Sequence, residues 1–151
     1  MSAFMNRELI TDGPFKGWYE AGPTSTFNGL VGPYCYQMEN NQAVKLGFIA
    51  KDHHMNGGGS VHGGCLLTLA DTSLFIFALP LLKGAGVVTL QLDSQFVSRG
   101  RLGDAIYAEG GVVRAGASVI FVRGELKSED RIILTYSGIL KRTSPAKDGD
   151  A

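Results

Sequence analysis

Between His62 and Lys83 the chain carries one charge, Asp71, inside its longest apolar run, GGCLLTLADTSLFIFALPLL. That run limits the fold more than any other feature. It reads as one helix from Gly63 to Leu79, stopped by Pro80, which cannot continue a helix, and by the turn-like LLKGAG. A membrane-spanning helix needs about 20 apolar residues, whereas Thr68, Asp71, Thr72, Ser73 and Pro80 interrupt this one. A helix apolar on all sides is otherwise buried inside a fold.

The rest of the chain supplies strands to bury it. YCYQME (34–39) and AVKLGFIA (43–50), separated by Asn40-Asn41-Gln42, have the composition of an antiparallel pair. After the helix, VVTLQLDSQF sets Val88, Leu90, Leu92 and Phe96 against Thr89, Gln91, Asp93 and Gln95, a period of two with one wet face. DAIYAEGGVVRA, SVIFVRGEL and RIILTYSGILKR follow. Two strands, one apolar helix and four strands leave one solution, an α+β fold in which a single antiparallel sheet covers the helix. Residues 1–33, rich in Gly and Pro, are expected to form a short N-terminal helix and an irregular arm. That arm should lay Phe15, Trp18, Tyr19 and Phe27 on the body. The domain proper should run over 34–142, and 143–151 should be a disordered tail.

With 151 residues the simplest expectation is one domain. Fourteen basic residues balance fourteen acidic ones, so overall charge does not recruit nucleic acid. Cys35 and Cys65 make neither a metal pattern nor a disulfide framework. The N-terminus lacks a basic segment followed by an apolar one, so it does not read as a secretory signal, and a cytoplasmic setting is expected.

Asp71 is the first candidate functional residue. The run on either side of it carries no other charge and is mostly apolar, so it is expected to be buried. A buried carboxylate must be hydrogen-bonded or have its pKa raised by desolvation, which suits a general base or nucleophile near neutral pH. Gly63 and Gly64 open the helix, where N–H groups lack intrahelical partners and the helix dipole is positive. That end suits an anion or a carbonyl becoming an oxyanion, although the glycines could equally serve close packing on the sheet. Asn56 is a turn residue or a group that polarises a bound carbonyl. His62 reads as a helix-start residue bonded to nearby backbone, and Cys65 as a small buried side chain. The phosphate-loop and serine-elbow patterns fail at GGGSVHGG. The spacing of His53, His54 and His62 fits no common metal site.

Asn56, six residues before His62 in Val-His-Gly-Gly, followed by LLTLAD with Asp71 nine residues after His62, resembles hotdog-fold acyl-CoA thioesterases of the phenylacetate-pathway (PaaI-like) type. The resemblance spans about residues 34–142. It implies the hotdog fold, a sheet wrapped around one long central helix, associating as dimers or tetramers. It implies hydrolysis of an acyl-CoA thioester without metal or redox cofactor, CoA being part of the substrate. From the charge balance and the interrupted apolar run, neither nucleic acid nor membrane is expected as a partner. By position, Asp71 would activate water or attack the thioester, and the Gly63 N–H would stabilise the oxyanion beside His62. Asn56 would polarise the carbonyl, and Thr89 would orient water, although the strand alternation puts Thr89 on the polar face with Gln91. Arg99, Arg101 and Arg114, all in expected turns, are candidates for the CoA phosphates. Phe75, Phe77 and Phe96 would admit an aromatic or medium acyl chain. The three-glycine run before Ser60 departs from the family and is expected to loosen its loop. A hotdog hydratase or dehydratase using His62, and a non-catalytic acyl-CoA-binding protein, are the alternative readings.

Overall fold

The computed structural model describes residues 8–20, 25–40 and 42–143. The chain runs β1 (Glu8–Leu9), β2 (Tyr19–Glu20), α1 (Phe27–Val31), β3 (Cys35–Glu39), β4 (Gln42–Ile49) and α2 (Gly63–Ala78). It continues through β5 (Gly86–Phe96), β6 (Ala105–Ala115), β7 (Val119–Ser128) and β8 (Arg131–Thr143). The strands form one sheet in the order β1-β2-β3-β4-β6-β7-β8-β5, with every neighbouring pair antiparallel. The expected hotdog arrangement is therefore present: α2, running between β4 and β5, is the one long helix among the described residues, and the sheet packs around it. Pro80 lies in a 3-10 turn, Leu79–Leu81, that ends α2.

Leu66, Leu69, Ala70, Ser73, Leu74 and Phe77 face the sheet and are buried. They meet Leu46 and Phe48 of β4, Ile106 and Ala108 of β6, Ile120, Val122 and Leu126 of β7, and Leu134, Tyr136 and Leu140 of β8. One polar pair sits in this core, the Ser73 hydroxyl on the Tyr136 hydroxyl, with Ser73 also donating to the Ala70 carbonyl at 2.7 Å. By length and composition Gly63–Leu81 could cross a membrane, but half of that stretch is buried against the sheet.

The arm differs in part from expectation. Its helix is α1, at the end of the arm, and two short strands precede it. Phe15 is buried, its ring closing on Gly47, where a Cβ would come within 3.0 Å of it. Trp18 packs between Phe15 (centroids 4.6 Å apart) and Tyr107 (6.1 Å), and Tyr19 stacks on Tyr36. Phe27 is the exception, standing 63% exposed on α1 with Leu30 one turn on. The tail expected to be disordered falls on residues 144–151, outside the described residues, while Thr143 still pairs in β8.

Strand β5 corrects the alternation. Thr89 lies opposite Leu140 and Gln91 opposite Ile139, so Leu90 is an extra residue, a β-bulge. Before the bulge Val87 and Thr89 point toward α2. After it Leu92 does, opposite Gly138, where a Cβ would strike Leu74 of α2. A strict period of two would put Thr89 and Leu92 on opposite faces. The bulge places both on the helix side and leaves Val88 and Leu90 exposed, at 49% and 57%.

Candidate active site

The loop before α2 is built on Asn56. Its side-chain carbonyl accepts the N–H groups of Gly58 (2.9 Å) and Ser60 (3.2 Å), and its backbone N–H donates to the Ser60 carbonyl (2.8 Å). Gly59 turns the chain at φ +73°, a conformation glycine adopts without a Cβ penalty. A bridge between Met55 and Val61 closes the loop, and the Val61 N–H donates to the Gly100 carbonyl. The three glycines expected to loosen this segment are thus folded around one asparagine. With the Asn56 carbonyl engaged, its NH₂ is the part that can donate to a ligand.

His62 is the N-cap of α2, and its Nδ1 accepts the Gly64 N–H at 2.9 Å. The N–H groups of Cys65 and Leu66 go to the His62 carbonyl. The Gly63 N–H meets no protein acceptor among the described residues and lies at the positive end of the helix. Gly63 also has a packing reason to be glycine: a Cβ there would lie 3.2 Å from the Phe96 ring. Gly63 thus carries a packing contact as well as an N–H left without a protein partner among the described residues. Asn56, Gly58, Ser60, Gly63, Phe96 and Arg99 line a cleft of about 550 Å³.

Asp71 is not buried. It stands exposed on the outward stripe of α2 that runs through Gly64, Thr68, Asp71, Thr72 and Phe75. Residues three and four apart share a helix face, whereas sequence neighbours point elsewhere. Apolar residues on both sides of Asp71 in the chain therefore did not enclose it, and one chain does not supply the desolvation expected for it. Its carboxylate accepts the Thr89 hydroxyl at 2.8 Å across from β5. The other hydroxyls of the stripe are turned into the helix, Thr68 to the Gly64 carbonyl and Thr72 to the Thr68 carbonyl, both at 2.8 Å. Asp71 is left as the one charged group on that face.

The remaining candidates separate. Arg99 lines the Asn56–Gly63 cleft, and Arg101 lies in the following turn with its N–H on the Asp104 carboxylate. That turn is braced by Arg131, which the sequence did not single out and which bonds the Arg99 carbonyl and, at 2.5 Å, Asp104. Arg114 lines a different cleft with Asp93 and Phe121 on the sheet face away from α2. Phe96 is at the first cleft and Phe75 on the outward stripe, but Phe77 belongs to the core. Both cysteines are free and buried, and burial pushes the Cys65 thiol up to about 11, so it is no ready nucleophile. His53 and His54 meet the backbone carbonyls of Gly32 and Val31. The described residues bring no three His, Cys, Asp or Glu side chains together as a metal site.

A family profile described as the thioesterase superfamily matches residues 58–134, half of the chain and the whole stretch from the Asn56 loop through α2 into β8. The chain belongs to the thioesterase superfamily. By family it is a thioester hydrolase. An esterase-named protein of Pseudomonas aeruginosa, PA0474, is 29% identical over 125 residues, which are 82% of this chain and 93% of that protein. Two solved structures share the hotdog fold at lower identity. A hypothetical thioesterase protein of Streptococcus pneumoniae TIGR4, solved with coenzyme A, matches at TM-score 0.67 and 22% identity over 76% of this chain and 88% of its own. The PaaI protein of the Escherichia coli phenylacetic acid degradation operon matches at TM-score 0.61 and 22% identity over 75% of each chain. The family match covers Gly63, Asp71 and Thr89, and begins two residues after Asn56.

Proposed function

We propose that this thioesterase hydrolyses an acyl-CoA thioester to a free acid and CoA, in a site that two chains of a homodimer build together. Asp71 takes a proton from water as the water oxygen bonds to the acyl carbon, or attacks that carbon itself to form a mixed anhydride that water then hydrolyses, releasing the acid, the free carboxylate and a proton; Thr89 orients the carboxylate. The Asn56 NH₂ and the Gly63 N–H receive the thioester oxygen as it gains charge, at the positive end of α2. The C–S bond then breaks, and the sulfur leaves as a thiolate that takes up the proton. The cycle is redox-neutral and uses no cofactor beyond the CoA of the substrate. The pneumococcal relative solved with coenzyme A supports a CoA ester, and we assign its phosphates to Arg99, which lines the cleft, and to Arg101 in the following turn. We place the reaction in the cytoplasm.

The observation that carries this reading is the separation of the two halves. Gly63 and Asp71 lie eight residues apart on one unbroken helix, about 12 Å at the helical rise. Reacting atoms must sit about 3–3.5 Å apart, so one chain cannot bring both groups to one carbon. A two-fold axis that sets two α2 helices antiparallel puts Gly63 of one against Asp71 of the other, twice. The outer edge of β5 favours such pairing. It is an 11-residue edge strand with exposed Val88 and Leu90, and an open apolar edge of that length is a template for another strand. A partner would also cover the stripe that holds Asp71 and supply the desolvation one chain lacks.

The test is a panel of acyl-CoAs with release of free thiol as the readout. At least one ester should be cleaved well above its rate in buffer, and Asp71→Asn should lower kcat by about 10²-fold or more. Thiol release by Asp71→Asn at the wild-type rate would show the carboxylate to be structural.

A further inference from the structure

His54 is 2% exposed and reaches three parts of the chain at once. Its Nδ1 accepts the Lys51 N–H at 2.9 Å, while its own N–H donates back to the Lys51 carbonyl. A neutral imidazole has one donor and one acceptor nitrogen, so Nε2 carries the proton and donates to the Val31 carbonyl, the last residue of α1, at 2.5 Å. The ring is held between Phe48 of β4 (centroids 4.5 Å apart) and His53 (3.9 Å). The third link is the backbone: the His54 carbonyl accepts the His62 N–H at 2.8 Å. His62 caps α2 immediately before Gly63, and Asn56 lies two residues beyond His54.

We infer that His54 is a positioning residue for the oxyanion half of the active site, fixing Asn56 and the capped first turn of α2 by tying them to α1 and β4. This rests on the proposed roles of Asn56 and Gly63. The loop from Met55 to Val61 bonds within itself, to Gly100 and, through the Met55 N–H, to the Asp52 carbonyl of the turn that carries His54, so its placement relative to the fold depends on its two ends and the Gly100 contact. His54 governs one end through its ring and the other through the His62 N–H. The Asn56 NH₂ and the Gly63 N–H must point at one oxygen, and a displacement near 1 Å at such donors costs up to about 10²-fold in rate. The arm acquires a purpose by the same route, since α1 is what the imidazole grips.

A double-mutant cycle on kcat of the full-length protein tests this. His54→Gln keeps an amide that can reach the Val31 carbonyl and loses the Lys51 acceptor. His54→Asn does the reverse, and serves in the same cycle if the Gln variant fails to fold. In otherwise wild-type protein, matched for folded fraction by its melting transition, the substitution should lower kcat about tenfold or more and change KM for the acyl-CoA less than about twofold. In an Asn56→Asp background, where one of the two donors that His54 aims is already gone, that loss should be clearly smaller. In a Thr89→Val background, on the carboxylate side, it should persist in full. Equal losses in both backgrounds, or no loss of kcat in the wild-type one, would overturn the inference. Asn56→Asp acting at the wild-type rate would instead remove the role given to Asn56, and the inference with it.

Discussion

Equal amounts of Asp71→Asn and Asn56→Asp chains, unfolded together and refolded, should recover about a quarter of wild-type activity by the symmetry of a two-fold dimer. Each chain alone should be nearly inactive. Asp71→Asn removes the base or nucleophile, about 10²-fold or more. Asn56→Asp keeps the Oδ1 that accepts the Gly58 and Ser60 N–H groups, so the loop retains its turn, but replaces the NH₂ donor with a second oxygen. Losing one such donor costs about 10²–10³-fold. Asn56 lies beside the first turn of α2 and Asp71 about two turns along that helix, and in the shared site Asp71 of one chain works with Asn56 of the other. Random pairing makes about half of the dimers mixed. A mixed dimer has one site holding both defects and one site holding neither. Half of the dimers with half of their sites intact gives the quarter. The assay is thiol release from the best acyl-CoA of the panel, with the mixed species confirmed by native mass and the singly refolded chains as baselines. If Asp71 and Asn56 of the same chain formed a site, every site would carry one defect and mixing would restore nothing. Mixed dimers without recovery would therefore refute the shared site.

Two further outcomes follow from the packing. Gly63→Ala keeps the N–H but brings a Cβ to 3.2 Å from the Phe96 ring. It should leave the protein folded and lower kcat/KM several-fold, roughly the effect of about 1 kcal/mol. Adding Phe96→Leu should restore most of the loss, and failure to do so would separate the glycine's role from that ring. Proline, which a first helical turn tolerates, would meet the same ring and so cannot isolate the N–H. Burial holds the His54 imidazole below its ordinary range, and the neighbouring His53 and Lys51 push the same way. The unfolded chain therefore binds the proton more readily than the folded one, and the stability His54 confers is complete above about pH 6.5 and lost as pH falls through the folded value. Urea midpoints of wild type should fall more steeply than those of His54→Gln as pH drops below about 6.5, and parallel slopes would contradict the buried neutral ring.

Much of the fold is written locally. One apolar run long enough for a single helix, ended at Pro80, and strands on either side of it allow little except a sheet around α2, because each element must bury one apolar face and only the other is available. The same local reading found His62 as a cap, since a residue before two glycines and an apolar run has the first-turn N–H groups within reach. The spacing of the resembling family named Asn56, Gly63, Asp71 and Thr89 as candidates.

Tertiary structure decided the rest. Thr89 faces Asp71 because a bulge at Leu90 adds a residue to β5, and a period of two read along the chain cannot show where a ladder slips. Asp71 is exposed because helix faces are shared by residues three and four apart, and enclosure is a property of what packs against a face rather than of sequence neighbours. His54 gave no local signal, since its partners at Val31 and His62 lie 23 residues before it and eight after. Arg99 joined the Asn56 cleft and Arg114 did not, although both read alike as arginines in turns. The chemistry of each group is intrinsic to its side chain and legible in one dimension. Which groups meet is set by the register, bulges and helix faces of the closed fold, because those fix distances that sequence separation does not.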